Sequence, residues 1–231
     1  MNPVTTATFQ RARSDEQRAE RSRAILATAA SMLAEMPVAD VSLNELSRRV
    51  GLAKSNVLRY FESREAVLLN LLNAASTEWL TELTRKLRRG VDPSTDLDAR
   101  IGRVTELIAK SVTQRPVLCD LLSAQSSVLQ RNISTESVVT FKRAARADLE
   151  TFAALIGECL PELRGEGAMT FVIYAASAVG ALWTASNPAD AVVAAYIAEP
   201  DLSAMRIEFE PALRQLLRHL LSGIASTTSA K

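Results

Sequence analysis

Apolar residues recur every three or four positions along nearly the whole chain, and no stretch alternates as a half-buried strand would. This pattern predicts helices separated by glycines, prolines and short polar stretches. The predicted helices cover residues 14–36, 42–49, 53–60, 63–89, 96–114, 116–131, 135–160, 166–186 and 202–223. The chain is therefore expected to be all-α.

The most informative stretch is residues 42–61, SLNELSRRVGLAKSNVLRYF. Its pattern is a helix, a turn at Gly51 and a second, shorter helix, and Ser42 with Glu45 has the spacing of a capping box. On a helical wheel the shorter helix turns its apolar residues inward, among them Ala53 and Val57. The unit is too short to be stable alone, so it needs the flanking helices as a base.

The outward face of the shorter helix is polar and basic. Lys54 and Arg59 suit guanine, Asn56 suits adenine, Ser55 suits either, and Leu58 suits a thymine methyl group. Four further residues have a spacing suited to phosphates; these are Ser42, Arg48, Tyr60 and Arg64. A helical hairpin with a merely solvated face is the alternative, because such patterns are weakly specific.

Residues 23–72 resemble the DNA-binding domain of the TetR family of bacterial regulators. The resemblance lies in three motifs: ILATA from Ile25 with Leu33, then GLAKSNVLRYF at 51–61, then FESREAVL at 61–68. The chain departs from the family pattern where Leu58 replaces a tyrosine and Arg64 a lysine, which puts the detailed DNA contacts in doubt.

The resemblance implies a function as well as a fold. Such proteins are typically homodimers, often repressors, that bind pseudo-palindromic operators and release them when a small apolar or amphipathic ligand enters the C-terminal body. The domains expected are a flexible basic arm (1–16), a helix-turn-helix DNA-binding domain (17–64), a regulatory and dimerisation domain (65–225) and a disordered tail (226–231). The arm either contacts DNA or is a solvated segment, because acids dilute its arginines.

The last two predicted helices are expected to form the dimer interface, as the resemblance implies. The first of them is rich in small residues, which allow close backbone approach, and a core helix within one chain is the alternative. The interface residues expected are Ala175, Ala178, Leu182, Phe209, Leu213, Leu216, Leu217 and Leu220.

The aromatic residues available to a ligand pocket are Trp79, Phe141, Phe152, Phe171, Tyr174 and Trp183. Plain core packing is the alternative for each aromatic residue.

Composition and charge limit the kinds of functional site that we expect in this chain. The net charge of +1 divides into +2 for residues 1–72 and −1 for the remainder, so any nucleic-acid interaction depends on where the charges lie. Cys119 and Cys159 lie alone in apolar patterns, which suits free thiols in a reducing cytoplasm. With His219 as the only histidine, we expect no metal site, no cofactor and no histidine-based catalysis.

One uncharged stretch, residues 167–189, is long enough to cross a bilayer. It is rich in Ala, Ser, Thr and Gly and ends at Asn187-Pro188, so we interpret it as a buried helix and expect no membrane. The sequence therefore predicts a cytoplasmic, ligand-responsive transcriptional regulator, with double-stranded DNA, a second copy and a small molecule as partners. An activator, or a DNA-binding protein without ligand control, is the alternative.

Overall fold

The computed structural model describes residues 3–163 and 165–228, and within these ranges it contains helices and no strand. The all-α prediction is confirmed. The α-helices are α1 (Pro3–Leu33), α2 (Leu43–Val50), α3 (Lys54–Val57), α4 (Arg64–Gly90), α5 (Leu97–Thr113), α6 (Pro116–Ala124), α7 (Thr135–Cys159), α8 (Glu166–Ser186), α9 (Asp190–Ala198) and α10 (Phe209–Thr228). Short 3-10 helices occupy Val38–Asp40, Pro161–Leu163 and Pro200–Met205, and one turn of π-helix, Gln125–Leu129, follows α6.

Local capping explains where the long helices begin. The side-chain oxygens of Ser63, Asp96 and Ser134 accept hydrogen bonds from backbone N–H groups three residues further on. Each such cap stabilises a helix by about 1 kcal/mol. Pro116 occupies the first turn of α6, where its missing N–H costs nothing.

Two buried clusters form the core. The body cluster joins α4, α5, α7, α8 and α10 around side chains such as Leu83, Ile108 and Phe171. The head cluster joins α1 to α4 around Ile25 and Leu68, and it also includes four side chains from the body. These four are Leu118, Leu121, Leu129 and Phe141. The head core is therefore continued by α6, the π-turn and α7.

The ends of the chain differ from the prediction. We expected the first helix to begin at a capping box at Ser14, whereas α1 begins at Pro3. The backbone of residues 3–16, predicted as an arm, thus belongs to α1, while the side chains of Arg11 and Arg13 lie outside the described residues. At the other end α10 continues to Thr228, and residues 229–231 of the predicted tail lie outside the described range.

The region before the last helix was also predicted wrongly. A helix from 202 to 223 was expected, but α10 begins at Phe209, and the sequence pattern missed α9 altogether. The reason is that the α9 sequence, DAVVAAYIA, is apolar on every side and so lacks the amphipathic period that marks a helix. The predicted helix 116–131 likewise ends at Ala124 and gives way to the π-turn.

Candidate nucleic-acid interface and internal cavity

The turn between α2 and α3 depends on Gly51. Its φ of 72° and ψ of 30° place it in the left-handed region, which glycine adopts without steric cost. The N–H of Gly51 donates to the carbonyl of Arg48, and the N–H of Leu52 donates to that of Ser47 at 3.0 Å. This pair of bonds is a Schellman motif. It ends α2 sharply and sets the direction in which α3 leaves.

The inner side of α3 anchors it to the head. Val57 is fully buried, Phe61 is buried and Tyr60 is half-buried, as expected. Ala53 is exposed, contrary to the prediction. It is the N-cap, with extended backbone geometry, so a helical wheel does not describe its direction. The helix is also shorter than predicted, since α3 ends at Val57 and a turn covers residues 58–60.

The outer side of α3 and its following turn presents the predicted reading face. Lys54, Ser55, Asn56, Leu58 and Arg59 are all exposed. Within the described part of the chain, no ion pair engages the ammonium group of Lys54 or the guanidinium group of Arg59. Both cations are therefore available to an external anion or to a base edge.

Two of the expected phosphate contacts lie on α2. The Ser42 Oγ accepts a hydrogen bond from the Glu45 N–H at 3.1 Å, which leaves its own O–H free to donate. Arg48 is well exposed and binds both carboxylate oxygens of Glu45, at 2.6 and 2.8 Å. The predicted capping box is thus half-formed, because the Glu45 carboxylate turns to Arg48 and Arg49 instead of the Ser42 N–H.

These arginines change the acidity of Glu45. Hydrogen bonds from Arg48 and Arg49 lower the pKa of Glu45 to about 2. The carboxylate therefore stays ionised near neutral pH and orients Arg48 at the edge of the head. Half-buried Tyr60 completes this group of candidate phosphate contacts.

Arg64 has a different environment from the one expected. Its guanidinium donates to the backbone carbonyls of Val38 and Val41 and pairs with Glu65 at 3.2 Å, and only 19% of its side chain is exposed. It thus ties the first turn of α4 to the loop before α2. Most donors of Arg64 are already engaged, so we expect a structural role for this residue in place of the phosphate contact that the sequence pattern predicted.

A cavity of about 580 Å³ lies in the body between α4, α5, α6, α7 and α8. Its walls are mostly apolar, with side chains such as Leu80, Ile108 and Val112. A smaller polar set joins them, namely Asn73, Ser76, Ser123, Gln125, Lys142, Asp148, Ser177 and Thr184. The size and lining suit a small molecule that is largely apolar with a few polar groups.

Three of the six predicted aromatic residues line this cavity: Trp79, Phe141 and Phe152. Trp79 packs edge-on against Phe152 with 5.3 Å between ring centroids, and its Nε1–H donates to the Ser111 Oγ at 2.9 Å. This hydrogen bond fixes the indole ring in the wall. These three aromatic side chains are therefore placed to contact a ligand.

The other three aromatic residues lie outside the cavity wall, contrary to the expectation. Phe171 is fully buried in the body core, and Tyr174 points outward with 53% of its surface exposed. Trp183 packs edge-on against Phe209 at 5.0 Å and donates its Nε1–H to Asp120. No sequence signal marked the polar lining residues, because a polar residue on an amphipathic helix suggests a solvent-facing position.

Most of the residues expected at a dimer interface are buried within the single chain. These are Ala175, Ala178, Phe209, Leu213 and Leu217. Leu216 is exposed, and Leu182 and Leu220 are half-buried. Helices α8 and α10 carry apolar residues on two sides, so the helical period did not reveal which side faces the core.

The small residues of α8 serve close packing inside the chain. A Cβ atom at Gly180 would lie 3.0 Å from the backbone oxygen of Leu122 and 3.1 Å from the Cα of Ser123. The close approach of α8 to α6 thus requires glycine at this position. This agrees with the alternative that α8 is a core helix within one chain. The outer side of α8 exposes Ile173 and Tyr174.

Among the described helices, α8 is also the one long and apolar enough to cross a bilayer by length and composition. One third of its most apolar window is buried in the single chain. A lone helix of this kind is weak evidence for a membrane span, because core helices of soluble proteins pass the same test.

Comparison with known proteins agrees with this architecture. Residues 25–71 match the family model described as bacterial regulatory proteins of the tetR family, and residues 73–228 match the one described as the tetracyclin repressor-like C-terminal domain. The HTH-type transcriptional regulator EthR of Mycobacterium tuberculosis is 44% identical over 54 residues, which is 23% of this chain and 25% of that protein. The likeness to this relative is therefore confined to a quarter of its length.

Two solved structures share the fold over nearly the whole chain. A TetR transcriptional regulator from Rhodococcus sp. RHA1 has a TM-score of 0.56 and 16% identity, covering 90% of this chain and 96% of that one. The fatty acid degradation regulator FadR from Bacillus halodurans has a TM-score of 0.51 and 14% identity, covering 86% and 96%. Together the two family models span the head and the body, and the chain belongs to the TetR family of bacterial transcriptional regulators.

Proposed function

We propose that this protein is a ligand-responsive repressor that binds a pseudo-palindromic operator as a homodimer and releases it when a small apolar or amphipathic molecule enters the cavity. The main support for this proposal is a wall that the cavity shares with the buried cluster of the head. Leu118 and Phe141 line the cavity and also belong to the buried cluster of the head. A ligand that displaces either side chain must disturb the packing that supports α3.

Helix α4 provides a second route from the cavity to the head. Leu72, Asn73, Ser76, Trp79 and Leu80 lie along it in the cavity wall, while Leu68 on its first turns is buried in the head. The helix is continuous over 27 residues and about 40 Å, so a push at its middle is transmitted to its N-terminus.

A third connection joins the loop after α3 to α7. The Glu62 Oε1 accepts a hydrogen bond from the Ser134 N–H at 2.8 Å, and Ser134 caps α7. Further along α7, Phe141, Lys142 and Asp148 line the cavity. A shift of α7 would therefore pull on the segment that follows the reading face.

The proposed DNA contacts follow from the exposed surface of the head. Lys54, Ser55, Asn56 and Arg59 would meet base edges, and Leu58 a thymine methyl group. Ser42, Arg48 and Tyr60 would hold the phosphates on either side. Two copies of the head are needed to occupy two half-sites about one DNA turn apart, so a small change in their separation lowers the affinity strongly.

Free, buried thiols at Cys119 and Cys159 suit the reducing cytoplasm in which such a regulator would meet DNA. No enzymatic role is proposed.

The test of this proposal is selection of genomic fragments that the purified full-length protein retains, followed by titration of the recovered site. We expect a pseudo-palindrome bound by two copies, overlapping a promoter. Small apolar and amphipathic compounds are then screened for release of that fragment. Equal affinity of the protein for random fragments and for the recovered site would contradict sequence-specific binding. Higher transcription from the promoter when the protein is bound would contradict repression.

A further inference from the structure

Two charged residues, Lys142 and Asp148, belong to the described lining of the cavity, and both lie on α7. Lys142 is exposed, so its ammonium group lies at the mouth, whereas Asp148 is half-buried. On the other side of the mouth α8 adds no charge, because residues 167–189 are uncharged. Within the part of the chain that the structure describes, no ion pair engages the Lys142 ammonium. This cation is therefore available to a molecule that enters the cavity.

The position of Lys142 along the cavity follows from the register of α4 and α7. Three contacts join these helices or the residues just before them; they are Glu62 with Ser134, Thr77 with Asp148, and Arg88 with Glu158. The partners are 72, 71 and 70 residues apart, so the two helices run parallel. Lys142 therefore lies level with Leu71, at the end of the cavity nearest the head and within one turn of Asn73.

The other end of the cavity is apolar. Phe152 lies about 15 Å beyond Lys142 along α7, and Leu80 lies near its level on α4. Asp148 lies between them, about 9 Å beyond Lys142, and its Oδ2 accepts a hydrogen bond from the Thr77 hydroxyl at 2.9 Å. A negative group deep in the cavity would be repelled by this carboxylate. The cavity thus favours negative charge at the end nearest the head.

The Lys142 ammonium is also in contact with the head. It lies 5.6 Å from the centroid of the Phe141 ring, within the range of a cation–π contact. Phe141 is 4% exposed, lines the cavity and belongs to the buried cluster of the head. An anion that binds Lys142 competes with this ring for the ammonium, so its arrival acts on a side chain that the head core holds.

The surface around the mouth is basic as well. Arg143 is exposed, and no ion pair engages it among the described residues. Arg146, also exposed, pairs with Glu150 at 2.7 Å. A positive field of this kind raises the local concentration of anions and repels cations.

We propose that the molecule sensed by the cavity is a single-chain anionic amphiphile, whose anionic group pairs with Lys142 while its apolar chain runs towards Phe152. The Asn73 side-chain amide can donate a hydrogen bond to the same anion. The inference rests on the ligand response of the proposed function and adds the charge of the ligand and the residue that selects it.

The test compares decanoate, decan-1-ol and decylamine, which share one chain length and differ in the charge of the head group. Their binding to the full-length protein is measured by isothermal titration calorimetry below the micellar concentrations. Lys142→Gln should lower the ratio of decanoate affinity to decan-1-ol affinity about fivefold, as expected for the loss of a partly exposed ion pair. Arg143→Gln is the matched control, since it removes the same charge from a neighbour outside the cavity lining, and the ratio should stay the same.

Four results would overturn the proposal. These are no binding of decanoate, tighter binding of decylamine than of decanoate, an unchanged ratio in Lys142→Gln, and an equal fall of the ratio in Arg143→Gln. Operator release distinguishes this inference from the proposed function. Decanoate that binds through Lys142 and leaves the operator complex intact would refute the proposed ligand response and keep the binding site. Release by decan-1-ol and decylamine without dependence on Lys142 would keep the proposed function and refute the inference.

Discussion

The carboxylate of Glu62 and the backbone N–H of Ser134 are 2.8 Å apart, 72 residues distant in sequence. This hydrogen bond joins the segment after the reading face to the start of α7, whose later turns line the cavity. Hydrogen bonds from the Ser134 backbone and from the hydroxyls of Ser137 and Ser134 lower the pKa of Glu62. The contact is thus made by the ionised carboxylate.

The stabilisation from the Glu62–Ser134 hydrogen bond should be lost at acid pH. Because the pKa of Glu62 is lower in the folded protein than its ordinary value of 4.5, its stabilising effect is complete above that value and is lost as pH falls below it. Glu62→Gln should therefore reduce the loss of melting temperature between pH 5 and pH 3. It should also speed amide exchange at residues 134–137 at neutral pH. Unchanged exchange in the variant would show that the contact does not hold α7.

Asn56 should contribute to the choice of DNA sequence. Asn56→Ala should lower operator affinity by about 1–3 kcal/mol and relax the preference at one base pair, as expected for a lost bidentate contact. Asn70→Ala is the control, since Asn70 is exposed on α4 and bonds only to its own helix. Fluorescence anisotropy titrations against a set of single-base operator variants measure both effects. Equal affinities for Asn56→Ala and the wild type would remove Asn56 from the reading face.

Arg64 should act on the stability of the head and not on the salt dependence of DNA binding. Arg64→Ala removes hydrogen bonds from a charged group to the Val38 and Val41 carbonyls, and we expect a loss of about 2 kcal/mol in the free energy of unfolding. The slope of log affinity against log salt should stay the same. A phosphate contact would instead reduce that slope by about 0.9, so denaturant unfolding and salt titration together decide between the two roles.

The Cys119 thiol should be inert in the native protein. Burial raises the pKa of Cys119 to about 12, against an ordinary value of 9.0. The neutral thiol favours the folded state, so this contribution is complete below pH 9 and is lost as pH rises from 9 towards 12. Ellman's reagent at pH 8 should react with Cys119 no faster than the protein unfolds. Rapid reaction without unfolding would show that solvent reaches α6.

The close contact at Gly180 should be sensitive to a single methyl group. Gly180→Ala places a Cβ atom against the α6 backbone, which cannot move aside as a flexible side chain would. We expect a destabilisation of about 1–3 kcal/mol, typical of overpacking, together with altered ligand binding, because Gly180 also lines the cavity. Gly223→Ala is the control, since nothing lies within 4 Å of a Cβ there.

The sequence predicted what local chemistry determines. The predicted helix starts at 63, 96 and 135 lie within one residue of the observed starts of α4, α5 and α7. The helical wheel drawn from Ala53 to Tyr60 likewise placed the basic residues on the exposed face. Local rules failed where a helix has no polar side to orient it. For this reason the sequence pattern did not predict α9, and it assigned the core-facing side of α8 to the dimer interface.

Other features depend on contacts between distant parts of the chain. Arg64 binds carbonyls 23 and 26 residues away, and such acceptors leave no trace in the pattern of side chains. The polar cavity residues Asn73 and Lys142 were missed for a related reason, since their helices place them in a wall only after packing.

The link between the cavity and the head can be tested without knowing the ligand. Ser76→Phe places an aromatic side chain from α4 into the cavity, while Thr81→Phe places one on the exposed side of the same helix. Operator affinity of the two variants is the deciding measurement. We expect at least a tenfold loss of operator affinity for Ser76→Phe with its melting temperature kept, and less than a twofold change for Thr81→Phe. A folded Ser76→Phe variant that binds the operator as tightly as the wild type would contradict the link between the cavity and the head.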